Sequence, residues 1–265
     1  MRTPARGILP DVIATCYHLQ SPSALFGNFL LVCLEGGEMN LAEIKAKVEK
    51  CIIQFGKDFK SVSDKHFWYE YDAQFRLMCS LSREIERDLS FEEPRLVHAH
   101  YPAQNGQRYD IAVFDIVAAR DIVNRIFCYN DWHRKLRERK DIAAVIEIAF
   151  AFVKDGSRLE GNIEYDYRED IKSALRRLTN DENRNQLWAN KNLIHYIVIC
   201  CVTSQFTDID NQRYPADIKS VKSARSWVSK KAQEIYKEAP FGLKVYWTSD
   251  HKLDEPDFIF PKITN

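Results

Sequence analysis

From residue 40 onward the apolar side chains change period along the chain, first 3.6 and then 2. In NLAEIKAKVEKCIIQFGK (40–57), Leu41, Ile44, Val48 and Ile52 recur at helical spacing, and Asn40 stands where an N-cap belongs. A longer helix is predicted over about 66–89. There Tyr71, Phe75, Met78, Ile85 and Leu89 form one apolar stripe, and Glu70, Gln74, Leu77 and Leu81 form the adjacent row. Glu70 falls at the margin of the buried face, near the start of that helix.

The period then becomes two. RLVHAHYPA (95–103) reads as a strand, NGQ (105–107) as a hairpin turn, and RYDIAVFD (108–115) as the return strand. An insertion of about 25 residues, read as helical, ends in the basic run HRKLRERK (133–140). DIAAVIEIAFAFVKDG (141–156) is a third strand, closing at Asp155-Gly156. A helix is predicted at about 167–179, with Ile171, Ala174, Leu175 and Leu178 inward. NLIHYIVICCVTS (192–204) is almost wholly apolar, which suits a central strand covered on both faces. Residues 218–238 form an amphipathic helix, and GLKVYWTS (242–249) and DFIFPK (257–262) are strands. Helix, three strands, helix, strand, helix, strands is the order of an α/β fold, a mixed β-sheet flanked by helices. Residues 1–39 read as an irregular N-terminal extension, broken by Pro4, Pro10, Pro22 and Gly36-Gly37, and 40–265 as the α/β domain.

Lys and Arg together number 38 and so do Asp and Glu, so no global field draws the chain to nucleic acid or an anionic membrane. Any such contact must come from a local patch. The longest apolar stretch, ALFGNFLLVCL (24–34), falls well short of the roughly twenty residues a membrane span requires. The seven cysteines are odd in number, lack a CxxC pair and sit partly in apolar runs, so they read as reduced core residues. A cytoplasmic protein is the expectation. Nucleotide-binding GxGxxG and GxxxxGK[ST] loops and a GxSxG elbow do not occur.

Two carboxylates break the apolar pattern of adjacent strands. In the third strand, alternation puts Val145, Glu147, Ala149, Ala151 and Val153 on one face. The small neighbours leave room beside Glu147 for an ion, water or phosphate. Asp110 shares its face with Ala112 and Phe114. If the strands pair, the two acids stand close. At about 4 Å they would repel by roughly 4 kcal/mol at an effective dielectric near 20, so one takes a proton or a cation sits between them. Oxygen ligands on rigid strands favour Mg²⁺ or Mn²⁺ over zinc. Glu70 is placed to supply a third oxygen.

A helical Glu, a hairpin strand with Asp (YDIAVFD), a strand with Glu (VIEI), then a helix and an apolar strand: this order resembles the PD-(D/E)XK nuclease superfamily over about residues 66–204. The resemblance implies a restriction-endonuclease-like core and Mg²⁺-dependent hydrolysis of DNA phosphodiester bonds, in microbial defence or DNA processing. It implies that Asp110 and Glu147 are the two strand acids and Glu70 the helical acid, with Glu84 as the competitor, all as metal ligands. The family's lysine would fall at 149, where this chain has Ala149. Losing one such electrostatic group typically costs about 10²–10³ in rate. A lysine from elsewhere would restore it, Lys172 first and Lys154 second. Otherwise the enzyme is slow, or the chain is an inactive nuclease-like module that binds nucleic acid or a protein partner. DNA is a better expected partner than RNA; a second copy of the chain is also open, and a membrane is not expected.

Other features have two readings each. His98 and His100, at i and i+2, are metal ligands or half-exposed strand residues. The basic run 133–140 contacts phosphates or is a solvated helix face. The aromatic groups HFWYEYDAQF (66–75) and Tyr165/Tyr167 stack on bases or pack in the core.

Overall fold

In the computed structural model the described residues are 40–61, 70–89, 95–102, 108–115, 142–153, 193–203, 218–238, 242–251 and 253–261. The chain divides into two compact units, Met1–Gly37 and Glu38–Asn265. All described residues belong to the second. The turn at 105–107, the insertion before 141, the helix at 167–179, Lys154 and Lys172 lie outside them.

Asn40 opens helix α1 (Leu41–Ser61), its Oδ1 accepting the Glu43 backbone N–H at 3.0 Å. Ile44, Val48, Cys51, Ile52, Phe55 and Phe59 recur every three or four residues and are all buried. The helix runs one turn past the expected end because Phe59 continues that stripe into the core. At about 1.5–3 kcal/mol per buried apolar side chain, this face contributes on the order of 10 kcal/mol before ordering costs.

Helix α2 (Glu70–Ile85) buries Ala73, Gln74, Leu77, Leu81 and Ile85. Here the structure corrects the expected stripe. Tyr71 and Phe75 are exposed, and the row of Gln74, Leu77 and Leu81 faces inward instead. Ala73 explains the rotation: a small side chain at the centre of the face lets the helix approach closely, which the Tyr71 and Phe75 rings would prevent. Just past the helix, Glu86 turns inward. Its Oε1 accepts from Leu96 N at 2.6 Å and Val97 N at 2.9 Å, fixing the chain into the first strand.

Among the described residues six strands follow: β1 (Val97–Pro102), β2 (Arg108–Phe114), β3 (Ile142–Phe152), β4 (Ile194–Val202), β5 (Gly242–Ser249) and β6 (Asp257–Phe260). Helix α3 (Ile218–Glu238) lies between β4 and β5 in the chain. The sheet order is β1-β2-β3-β4-β5-β6. β1–β2, β2–β3 and β5–β6 pair antiparallel, and β3–β4 and β4–β5 pair parallel. The fold is therefore the mixed α/β sheet with helices that the pattern predicts. β4 is central and buried almost throughout, as its apolar run requires.

Register assigns the faces. Ile146, Tyr196 and Lys244 lie in line across β3, β4 and β5, as do Ile148, Val198 and Tyr246. These rows meet α1: Tyr196 Oη donates to Glu49 Oε1 at 3.0 Å, and Thr248 Oγ1 donates to the Gly56 carbonyl at 2.9 Å. Phe150 meets Phe59 edge-on, with ring centroids 6.3 Å apart. Burial and the Glu49 carboxylate push the Tyr196 hydroxyl well above its ordinary pKa, which suits a permanent donor.

The opposite face carries Val145, Glu147, Ala149 and Ala151 on β3, and α3 covers its β5–β6 end. There Arg225 Nη1 donates to Asp254 Oδ1 at 2.9 Å, and Ser229 Oγ donates to the Ile259 carbonyl at 3.1 Å. Cys51, Cys200 and Cys201 are buried thiols, raised in pKa chiefly by burial. Among the described residues no helix is long and apolar enough to cross a membrane.

At Gly56 helix α1 lies directly against the Tyr246 ring of β5. A Cβ built there would lie 2.8 Å from Tyr246 Cζ, and Tyr246 is fully buried. Gly56→Ala is expected to destabilise by about 2 kcal/mol, although alanine is the better helix former. Chemical denaturation measures it; a stabilised variant would show that the ring moves aside freely.

Candidate functional site

The site begins where two strand ladders lapse together. β1 and β2 pair at Ala99↔Ile111 and Tyr101↔Tyr109, and the ladder skips the position between, His100 opposite Asp110. His100 has φ 50°, the left-handed region that non-glycine residues adopt at a cost. On the other side, β2 pairs with β3 from Phe114↔Ile142 to Ile111↔Ile146. One more step of that register sets Asp110 against Glu147, and there the ladder ends. Beyond it, among the described residues, β3 continues with β4 and β2 with β1.

Asp110 compensates for the missing rung. Its Oδ2 accepts the Ile148 backbone N–H at 2.7 Å, in place of a main-chain carbonyl. Its own carbonyl accepts from Gln74 Nε2 of α2 at 2.7 Å. Both bonds are buried, so neither group competes with water. Since N and Cα of successive residues are about 2.4 Å apart, Asp110 Oδ2 stands within about 5 Å of Glu147 Cα. Asp110 is 7% exposed and Glu147 0%. The chain thus places two carboxylic side chains side by side on one face, on neighbouring strands, in the interior.

A third polar side chain shares that face. His195 pairs in register with Val145, and Glu147 with Ile197, so His195 lies diagonal to Glu147 on the next strand. It is 1% exposed. His195 was hidden in the sequence by the apolar run NLIHYIVICC. The available signal is that a histidine amid residues that are all buried must itself be buried.

Glu70 occupies a different position. It is exposed in the first turn of α2, one turn before Gln74. Its charge, after burial, contributes to raising the Cys200 thiol. Glu84 is engaged on the surface, 2.7 Å from Lys50 Nζ and 3.1 Å from Arg87 Nη2, and these cations hold its carboxyl below the usual range. Among the described residues no group of three or more His, Cys, Asp or Glu is gathered closely enough to hold a metal. Asp110 and Glu147 are brought together, whereas Glu84 is held by Lys50 and Arg87. His98 is half-buried and its Nε2 donates to the Arg95 carbonyl, 2.9 Å away. Ala149 is buried at 4% exposure.

Matched against protein-family models, curated proteins and solved structures, the chain gives no match.

Proposed function

We propose that the chain is a metal-dependent phosphodiesterase acting on nucleic acid, DNA before RNA, built on a restriction-endonuclease-like core. The observation that supports this is Asp110 set against Glu147 at the end of the β2–β3 ladder. Mg²⁺ is ordinarily held through one or two carboxylates, with water and substrate phosphate filling its other positions. Two strand acids are a donor set of that chemistry, and Mn²⁺ suits the same oxygens. When bound, such an ion supplies an activated water and offsets charge on the phosphate.

The chain's own residues do the positioning. Ile148 N–H fixes Asp110 Oδ2 and thereby orients Oδ1. Gln74 anchors the Asp110 main chain, so the carboxylate cannot swing with β2. In this reading Glu70, one turn earlier on α2, is the outer acid, and Lys172 replaces the lysine absent at Ala149.

Buried Ala149 favours a second reading, a module that binds nucleic acid or a protein partner without cutting. Incubation with plasmid and single-stranded DNA in Mg²⁺ or Mn²⁺ separates the two. Cleavage is expected, lost in EDTA and in Glu147→Gln. Folded wild-type protein that leaves both substrates intact in either metal overturns the first reading in favour of the second.

A further inference from the structure

Helix α2 carries a second feature that its buried face does not use. Tyr71 is 71% exposed and Phe75 62%, although aromatic rings of this size are normally drawn inward. They are four residues apart, so their rings rise from the same side of the helix about 6 Å apart along its axis. The His100 ring extends the row, its centroid 6.1 Å from that of Tyr71. His100 owes this position to its left-handed backbone at the ladder gap opposite Asp110. Arg76 and Arg83 follow on the exposed arc beside Phe75, about 10 Å apart along the axis. Asp72, in the first turn, is the acid of that arc.

We infer that Tyr71, Phe75 and His100 form a stacking platform for the unpaired bases of single-stranded nucleic acid, with Arg76 and Arg83 on the phosphates. The inference rests on the nucleic-acid reading above and narrows its substrate class. Two observations favour this occupant. Flat rings side by side match successive bases, and guanidinium groups beside them match the backbone. The same helix also holds the site from its other side: Gln74, on the buried face, donates to the Asp110 carbonyl. Rings can stack on bases only where these are not already stacked in a duplex. The platform therefore selects single strands, ends or flaps over intact duplex.

The test is binding of fluorescein-labelled single-stranded and duplex DNA of equal length by the full chain, read by anisotropy in EDTA, so that no cleavage intervenes. Wild type is expected to prefer the single strand. Tyr71→Ala with Phe75→Ala should weaken single-strand binding by about tenfold per ring and leave duplex binding unchanged. Tyr71→Phe with Phe75→Tyr, which keeps both rings, should restore it. Both substituted side chains are exposed, so thermal melting should match wild type. Equal loss on single strand and duplex, or no loss on either, overturns the platform. So does a concentration-dependent dimer in sedimentation that the alanine pair abolishes, because the rings then serve self-association. Failure of the catalytic reading looks different: single-strand binding that needs both rings, with no cleavage in any metal.

Discussion

Asp110→Asn should fold like wild type and lose metal-dependent cleavage by at least about 10²–10³. Asparagine keeps an oxygen that can accept the Ile148 N–H, so the rung that Asp110 supplies to β3 survives as a neutral hydrogen bond. The cost of that exchange is about 1 kcal/mol, a melting shift of a few degrees in a chain of this size. The negative charge is what disappears, and it matters to a cation or to phosphate chemistry only. Asp110→Ala is the informative companion. It removes the acceptor as well and strands a buried N–H, adding about 1–3 kcal/mol of destabilisation. Melting curves and cleavage rates of the pair separate the two duties of one side chain. If Asp110→Asn cleaves at the wild-type rate, Asp110 is a structural rung and the catalytic reading fails.

The largest stability loss is expected at the other end of the sheet. Trp247→Ala should cost about 4 kcal/mol. Trp247 is fully buried, and its indole N–H donates to Asp254, which also receives Arg225 Nη1 at 2.9 Å. Arg225 reaches on to Asp257 at the head of β6. Alanine leaves a cavity under α3 and removes one donor from a buried carboxylate. Trp247→Phe keeps most of the volume and should cost only about 1–2 kcal/mol, the share of the hydrogen bond. Urea unfolding of the two variants measures the division. A Trp247→Phe loss as large as that of alanine would mean that the Asp254 network, and not packing, holds α3 to the sheet.

What the sequence revealed of all this follows from the range of the interactions. Period and composition are local properties, so α1, α3 and the strands were legible, as was the face that Glu147 shares with Ala149 and Ala151. The inward row of α2 was not. Two apolar rows run about 100° apart on that helix, and the choice between them depends on what it packs against. Tyr71 and Phe75 looked like core for the same reason. The parallel pairing of β3, β4 and β5 leaves no local mark, because an apolar run reports burial and not direction. Asp110 was legible as a strand acid beside Glu147 but not as a rung of the sheet, since its bond to Ile148 exists only once the β2–β3 register is known. His195 escaped because it is one polar residue in a run read for its apolar character.

The left-handed turn of the backbone at His100 has one more consequence. Among the described residues β1 is an edge strand, and a straight edge exposes a row of amides and carbonyls on which a foreign strand can grow. At His100 that row is bent out of line, and two residues later Pro102 offers no amide at all. An incoming strand would find three residues of template, Val97–Ala99, before the pattern breaks. The same irregularity that tilts the His100 ring toward Tyr71 thus guards this border of the sheet against aggregation.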